Sequence, residues 1–446
     1  MKDEIRMTKG PIARAIIRFA VPLFFGNLFQ QLYSAVDSLI VGNLLGNDAL
    51  AAITGTANLI DLLVGFFQGL FIGAGIVIAR FFGAENKPLM RKSIHTTVML
   101  AIFTGIFLSA VGTAFTPGML RMMGTPEEIF GLTVSYIRVY FISGIFLVLY
   151  NACTGILQAV GDSKHPLYYL IASSVLNVIL DLLFIGVFHL GIASAAAATG
   201  ISQCLSVILS LIRLTRKRED YHITLKELGF DREMLKLVLK FGLPSGFQNS
   251  VIGIANVVVQ SHVNAFGTMA VAGCGAYSKL SGFAFIPINS FTAALSTYVG
   301  QNLGAKEYER TQKGARFGIL CSIILAEGIG VIMFLTAPLL IGAFTREEEA
   351  IAYGVRNLRI LTPFYFLLAG THCLSAVLRG AGKVTVPMIV LLSVWCVFRV
   401  TWLTVMVPIT HSIDTVNWCY PLTWSISTVI LLIYFRKADW LGLKGQ

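Results

Sequence analysis

The chain has 446 residues, of which 56% are hydrophobic and 13% charged, and its formal net charge at pH 7 is +11. Its mean hydropathy of +0.76 exceeds what a water-soluble domain can bury in one core, so the composition excludes a soluble protein. Because a helix of about 20 apolar residues crosses the roughly 30 Å hydrocarbon core of a bilayer, apolar runs of that length predict transmembrane helices. Twelve such runs occur in chain order, approximately at 14–42, 49–79, 93–116, 132–158, 166–187, 190–212, 238–264, 269–300, 315–344, 355–378, 386–408 and 417–435.

The positions of the basic residues predict the orientation of these spans. With the N-terminus placed in the cytoplasm, 27 of the 34 Lys and Arg residues fall on the cytoplasmic side. The positive-inside rule therefore predicts a multi-pass protein of the cell membrane with both termini cytoplasmic. Since the net charge then follows from membrane topology, we expect no nucleic-acid partner. The first run is too long for a signal peptide and no small-residue cleavage site follows it, so it is expected to remain as a span.

The two halves of the sequence match at a nearly constant offset of 221 or 222 residues. Loops of the same type stay in register over about 150 residues, which chance similarity between apolar helices would not produce. The matched pairs are FAVP at 19–22 with FGLP at 241–244, NLLGNDALAA at 43–52 with NAFGTMAVAG at 264–273, GAENKPLMRK at 83–92 with GAKEYERTQK at 304–313, and LQAVGDSKHP at 157–166 with LRGAGKVTVP at 378–387. We interpret this pattern as a duplicated unit of six helices.

Because six is even, both copies share one orientation, and a pseudo-two-fold axis along the membrane normal is predicted. The fold prediction is an all-α integral membrane protein with two six-helix bundles. The predicted domains are an N-terminal bundle at 1–212, a cytoplasmic linker at 213–237 and a C-terminal bundle at 238–446. The KELGFDREMLK part of the linker is expected to form an amphipathic surface helix. Two like bundles around a cleft favour transport by alternating access.

Polar side chains recur at comparable depth in three spans of the first half. Tyr33 and Asp37 are four residues apart in the first span, as are Asn177 and Asp181 in the fifth, so each helix presents its pair on one face. Thr199 lies at similar depth in the sixth span. Hard cations prefer such oxygen ligands, and a crowded carboxylate pair has a raised affinity for protons. The pattern predicts a site that exchanges H⁺ or Na⁺; the alternative is that these residues only join helices through hydrogen bonds.

Further polar residues lie within the predicted spans. Asn151 is expected deeper in the fourth span, and Asp61, in the second, either extends the same network or serves as the counter-ion of a cationic substrate. In the second half, Glu327 and Arg399 are candidates for an ion pair, and Lys279 for a contact with a helix backbone or the lipid interface. We expect structural roles for these three residues.

Prolines near the start of two equivalent spans are candidate hinges. A proline within a helix removes a backbone hydrogen bond and permits bending. Pro22 lies near the start of the first span and Pro244 near the start of the seventh. The alternative is a kink without a function in transport.

Four stretches together resemble the multidrug and toxic compound extrusion (MATE) family over nearly the whole chain. They are QLYSAVDSLIVGNLLGNDALAA at 31–52, GILQAVGDSKHP at 155–166, NVILDLLFI at 177–185 and VGQNLGAKEYERTQK at 299–313. The resemblance implies an antiporter that exports organic, often cationic and amphipathic, compounds in exchange for H⁺ or Na⁺. It also implies a cation site with a supporting network and a hinge: Asp37, Asn177, Asp181 and Thr199 in the site, Tyr33 and Asn151 around it, and Pro22 as the proline that bends on protonation.

Other function classes fit the sequence less well. A flippase for a lipid-linked saccharide or a phospholipid, within the same superfamily, is the main alternative to drug export. An enzyme is not expected, because the sequence has no GxSxG, HExxH or comparable His/Asp pattern. We expect no cofactor besides H⁺ or Na⁺ as coupling ion; the expected partners are small organic molecules and membrane lipid, and the oligomeric state is left open.

Overall fold

A computed structural model of the protein describes residues 6–216 and 220–442. These two ranges consist of helices joined by short turns and contain no strand, which confirms the all-α prediction. The α-helices are α1 (Ile12–Leu45), α2 (Asn47–Gly83), α3 (Lys87–Met122), α4 (Glu127–Ile142), α5 (Gly144–Ala159), α6 (Lys164–Asp181), α7 (Ile192–Leu214), α8 (Arg232–Asn264), α9 (Thr268–Gly304), α10 (Tyr308–Leu335), α11 (Ala337–Gly342), α12 (Glu348–Leu361), α13 (Tyr365–Gly380), α14 (Thr385–Leu391), α15 (Arg399–Thr410) and α16 (Ile413–Lys437). Two π-helical segments, Leu182–Val187 and Leu392–Phe398, and two 3₁₀ turns, Leu225–Glu227 and Thr362–Phe364, complete the helical structure.

Ten helical runs in the described part of the chain are long and apolar enough to cross a membrane. The pair α4 and α5, bent by 45° at their junction, makes an eleventh if it forms one span. Helix α8 coincides with the seventh predicted span but carries Arg232, Lys236 and Lys240 in its first turns. With α8, these elements account for all twelve predicted spans.

The backbone repeats the duplication seen in the sequence. Residues with positive φ recur at the offset of 221 residues, at tight turns that end or begin equivalent helices. The pairs are Gly46 (85°) with Gly267 (93°), Glu85 (54°) with Lys306 (59°), and Gly161 (90°) with Gly382 (80°). Left-handed backbone is costly for residues other than glycine, so its recurrence at Glu85 and Lys306 shows that the two loops share one conformation.

The first compact unit comprises Met1–Arg6 and Phe25–Gly246. Its core contains buried apolar side chains from successive helices, including Val41 of α1, Phe71 of α2 and Phe141 of α4. Residues after α7 belong to this unit as well: Tyr221 is 1% exposed and packs into a second cluster of the same unit.

Glycines let α2 approach the first part of α8 closely within this unit. Gly69 and Gly73 of α2 face Gly242 and Gly246 of α8, so each helix contributes a GxxxG pair. A Cβ atom added to Gly73 would lie 2.3 Å from the Cα atom of Gly242, which no side chain tolerates without movement of the backbone. Small residues at such spacing are typical of closely packed membrane helices.

The second compact unit comprises Met7–Phe24 and Phe247–Gln446. Its core contains Leu280 of α9, Leu361 of α12 and Trp424 of α16. The start of α1 is tied to this unit by hydrogen bonds: the Met7 N–H donates to Gln301 Oε1 at 3.1 Å, and the Arg310 guanidinium donates to the Met7 carbonyl at 3.0 Å.

The compact units divide the chain at other residues than the predicted bundles. Residues 7–24 group with the second unit, and residues 25–246 group with the first. The linker contributes to this grouping, because the Thr224 N–H donates to His95 Nε2 of α3 at 3.0 Å. The prediction of a surface helix in the linker was wrong for its first part, because residues 225–231 form a 3₁₀ turn and a loop. Its last five residues, from Arg232 onward, are the start of α8.

Candidate functional site

Three helices of the first unit bring the predicted polar residues together. Asp37 and Tyr33 lie one turn apart on α1, Asn177 and Asp181 one turn apart on α6, and Thr199 on α7. Asn177 is 1% exposed and Asp181 is fully buried, whereas Tyr33, Asp37 and Thr199 are partly buried. A buried carboxylate at membrane depth is costly unless other groups compensate its charge, so its contacts decide what the site can do.

The side chain of Asn177 connects the three helices. In the orientation that satisfies both ends of its amide, the nitrogen donates to Asp181 Oδ2 at 2.7 Å and to the Tyr33 hydroxyl at 3.3 Å, and the oxygen accepts from the Thr199 backbone N–H at 3.1 Å. The Tyr33 and Thr199 side chains also lie close to each other. One amide therefore orients the carboxylate of α6 toward the polar groups of α1 and α7.

The carboxyl groups of Asp37 and Asp181 lie within hydrogen-bonding reach of each other. The Oδ1 atoms of both residues are buried and accept no hydrogen bond from the described residues. Two carboxylates in contact repel each other unless a proton or another cation lies between them. The pair, with its two unused oxygens, is thus suited to hold a cation and to release it.

The backbone changes form immediately after Asp181. Residues Leu182–Val187 are π-helical, and the Phe188 N–H donates to the Leu183 carbonyl at 2.8 Å, five residues back. Such wider turns occur often at functional sites, because they alter the direction of neighbouring side chains. The apolar sequence LLFIGV contains no proline or other strong signal for this change, and sequence reasoning did not predict it.

Two tyrosines near the site were missed by sequence reasoning. Tyr136 and Tyr140 of α4 have ring centroids 6.4 Å apart, and Tyr136 is 7% exposed. Tyr136 is close enough to Asp37 and Asp181 to interact with them electrostatically, and Tyr140 likewise with Asp61. The spacing of four residues in YIRVY was the available signal, since it places both rings on one face of a helix.

The two other residues assigned to the network lie apart from these contacts. The Asn151 side chain donates to the Leu147 carbonyl of its own helix at 2.9 Å. Asp61 of α2 is exposed. Their participation in the network stays a prediction.

The predicted ion pair between Glu327 and Arg399 is wrong. Glu327 accepts a hydrogen bond from the backbone N–H of Phe366 at 2.9 Å, at the start of α13. A helix N-terminus carries unpaired N–H groups and partial positive charge, so this carboxylate has a nearby partner that the ion-pair prediction overlooked. Lys279 of α9 is exposed.

Arg399 is held by neutral groups instead. It is 1% exposed and donates to Asn256 Oδ1 at 3.2 Å and to Thr423 Oγ1 at 3.0 Å. Its guanidinium carbon lies 4.6 Å from the centroid of the Tyr420 ring and 5.2 Å from that of Trp395. These cation–π contacts and hydrogen bonds compensate the buried charge without a carboxylate.

The two candidate hinges lie inside long helices. Pro22 lies within α1 and Pro244 within α8. The division between the compact units falls between Phe24 and Phe25 in α1 and between Gly246 and Phe247 in α8, two residues after each proline.

A metal site of the usual protein type is absent from the described ranges, 6–216 and 220–442, in which no group of three His, Cys, Asp or Glu side chains is arranged to hold an ion. The Asp37 and Asp181 pair has only two carboxylates and so differs from such clusters. A Na⁺ ion at the pair needs further oxygen ligands, and the candidates nearby are the Asn177 amide oxygen, which here accepts from the Thr199 N–H, and the Thr199 hydroxyl.

Comparisons with known proteins agree with this architecture. The family model MatE matches residues 22–183 and 244–403, once in each half. The chain is 30% identical to the probable multidrug resistance protein YoeA of Bacillus subtilis, with 87% of this chain and 86% of the relative aligned. It is 29% identical to the probable multidrug resistance protein YpnP of the same organism, with 98% of both chains aligned. A transporter of the MOP superfamily from Pyrococcus furiosus has the same fold, with a TM-score of 0.93 over 100% of this chain and 99% of that chain at 24% identity. The protein thus belongs to the MatE family of membrane transporters, as the sequence resemblance predicted.

Proposed function

We propose that the protein is a secondary active antiporter of the cell membrane, with both termini cytoplasmic, that exports organic compounds in exchange for H⁺ or Na⁺. The observation that carries the proposal is the contact between the Asp37 and Asp181 carboxyl groups beside Asn177. The names of the two Bacillus relatives, which are probable multidrug resistance proteins, support a range of organic substrates. Amphipathic cations are the compounds we expect it to move, with no catalytic turnover and no further cofactor.

Coupling follows from the chemistry of the carboxyl pair. A cation bound between Asp37 and Asp181 removes their mutual repulsion, whereas its loss restores it. The cation-bound and cation-free states therefore favour different arrangements of α1 against α6. A substrate that binds one of these arrangements better changes the affinity for the cation, and the cation changes the affinity for the substrate by the same factor. We assign the cation site to Asp37, Asn177, Asp181 and Thr199, with Tyr33 supporting the orientation of Asn177.

Alternating access needs helices that bend without unfolding. The division of α1 and α8 between two compact units, two residues after Pro22 and Pro244, supports a hinge at each position. Proline cannot donate the hydrogen bond that would stiffen the helix there. A change at Asp37, fifteen residues further along α1 than Pro22, can thus alter the angle between the two parts of the helix.

The test is efflux of a fluorescent cationic dye from proteoliposomes under an imposed pH or Na⁺ gradient. Wild type should move the dye under one of the two gradients, and Asp37→Asn and Asp181→Asn should not. Asp48→Asn, at an exposed position in the first turn of α2, is the matched control and should transport normally. No dye movement by wild type under either gradient would contradict drug export and favour the flippase alternative. Normal coupling in both variants would contradict the site assignment.

A further inference from the structure

An apolar cavity of about 350 Å³ opens on the surface of the second unit, between the first part of α1 and helices α9 and α10. Its lining is apolar apart from Ser290 and Cys321. Ile17 and Val21 of α1 are each 44% exposed and Ile324 of α10 is 60% exposed, so the cavity is a groove that is open to the surroundings of the helices. Its size is within the range of small-molecule sites.

The two helices that flank the groove begin side by side. The Arg310 guanidinium, at the start of α10, donates to the carbonyls of Met7, Lys9 and Gly10 at 2.7 to 3.1 Å, just before α1 begins. The starts of α1 and α10 therefore lie at the same end of the groove. The positive-inside rule predicts that this end is cytoplasmic.

Three exposed arginines lie near this end of α1 and α10, outside the lining of the groove. Arg14 and Arg18 are within one turn of Ile17 on α1, and Arg316 is two turns before Ile324 on α10. Arg310 and Lys313, by contrast, are engaged, with backbone carbonyls and with Glu309 respectively. Among the described residues, Arg14, Arg18 and Arg316 form no ion pair with a carboxylate.

We propose that this groove is a specific binding site for an anionic phospholipid of the inner leaflet. One acyl chain lies in the groove against Ile17, Val21 and Ile324, and the phosphate contacts Arg14, Arg18 and Arg316. The guanidinium group matches the geometry of phosphate oxygens, and basic pockets between membrane helices on the cytoplasmic side suit anionic head groups.

The charges decide which amphiphile fits. Hydrocarbon tails are as apolar as the groove, so filling it gives an acyl chain little preference over the bilayer. Selectivity must then come from the head group, and the three arginines attract an anion and repel a cationic amphiphile. A cationic drug that enters the groove from the membrane is accordingly the disfavoured occupant.

The test compares phosphatidylglycerol with phosphatidylcholine of the same acyl chains, added to the full-length protein in detergent and measured by native mass spectrometry. We expect phosphatidylglycerol to be retained preferentially. Each of Arg14→Gln, Arg18→Gln and Arg316→Gln should weaken this retention about fivefold, because a basic residue near an anionic lipid contributes about that factor. Arg346→Gln, at an exposed arginine of the loop before α12, is the matched control and should bind as wild type does.

A second pair of variants tests the groove itself. Ile324→Trp fills it from an exposed position and should lower retention of phosphatidylglycerol, while Ile332→Trp, two turns further along α10 and 63% exposed, should not. Equal retention of the two lipids by wild type would overturn the proposal. Preferential retention of a cationic amphiphile would also overturn it. The same would follow if Arg346→Gln lost as much phosphatidylglycerol as Arg14→Gln, Arg18→Gln and Arg316→Gln, or if Ile324→Trp retained as much as wild type.

Discussion

Replacement of Asp181 by asparagine should abolish cation coupling while leaving the protein folded. The substitution keeps the shape of the side chain and removes one of the two acidic groups of the proposed cation site. Asn177 donates to Asp181 Oδ2 at 2.7 Å, and the oxygen of the new amide can accept the same hydrogen bond. The structural contact thus survives and the charge does not.

The magnitude follows from the charge that is lost. A unit charge about 4 Å from a cation contributes about 4 kcal/mol at an effective dielectric constant of about 20. The affinity for the coupling cation should therefore fall about a thousandfold, since each 1.4 kcal/mol is a factor of about ten. The free energy of unfolding should not fall by more than about 1 kcal/mol, because one hydrogen bond is exchanged for a similar one and the repulsion between the two carboxylates is removed.

Two measurements separate these effects. The rate of dye efflux as a function of external Na⁺ concentration or pH reports the apparent affinity for the driving cation, and the thermal transition of the purified protein reports its stability. Asp48→Asn should change neither. The reasoning is refuted if Asp181→Asn retains the wild-type concentration dependence, or if its thermal transition falls enough to explain the loss of transport by unfolding.

Three further substitutions test other parts of the structure. Gly73→Ala should destabilise the protein by about 1 to 3 kcal/mol in thermal or detergent unfolding, because its Cβ would lie 2.3 Å from a backbone atom of α8, whereas Gly55→Ala, with open space in the same helix, should not. Asp231→Ala should lower the free energy of unfolding at pH 7, because hydrogen bonds from the Met234 N–H and then from Lys92 hold the pKa of the Asp231 carboxyl below its usual value. The stabilisation by this carboxylate is present above about pH 3.9 and is lost as the pH falls further. Unfolding of wild type and variant at pH 7 and at pH 3 measures the difference. Pro22→Ala should slow gradient-driven efflux without loss of stability, because alanine restores the missing hydrogen bond and stiffens α1; wild-type efflux would contradict the hinge.

The site was predictable where its geometry is local. A spacing of four residues fixes which side chains share a helix face, and this sufficed to pair Asn177 with Asp181 and Tyr33 with Asp37. The apolar runs predicted the twelve spans in order, and the repeated loops predicted the six-helix duplication. The contact of Asn177 with Tyr33 and Thr199 depends on how three helices pack, which no spacing within one helix encodes.

The wrong ion-pair prediction also concerns contacts that depend on how helices pack. Glu327 and Arg399 were paired because opposite charges in an apolar span favour each other, but a 3₁₀ turn before α13 exposes an N–H group to Glu327, and aromatic rings from two helices surround Arg399. Both partners are backbone or neutral groups, which a search for charged residues does not find. The grouping of residues 7–24 with the second unit depends on contacts of the same kind, since Arg310 donates to backbone carbonyls just before α1.

The two halves share the position of a proline in their first helix, but the polar contacts that this helix makes differ between them. Pro22 and Pro244 occupy equivalent positions, and each helix passes from one compact unit to the other two residues later. Beyond Pro22, α1 carries Asp37, which meets a second carboxylate on α6. Beyond Pro244, α8 carries Asn256, which meets the buried guanidinium of Arg399. The first contact therefore joins two acidic groups and the second joins a basic group to a neutral amide. If both helices bend at these prolines, a change of charge at the proposed cation site acts directly on α1, and α8 supplies the equivalent bend in a half whose corresponding contact has no carboxylate.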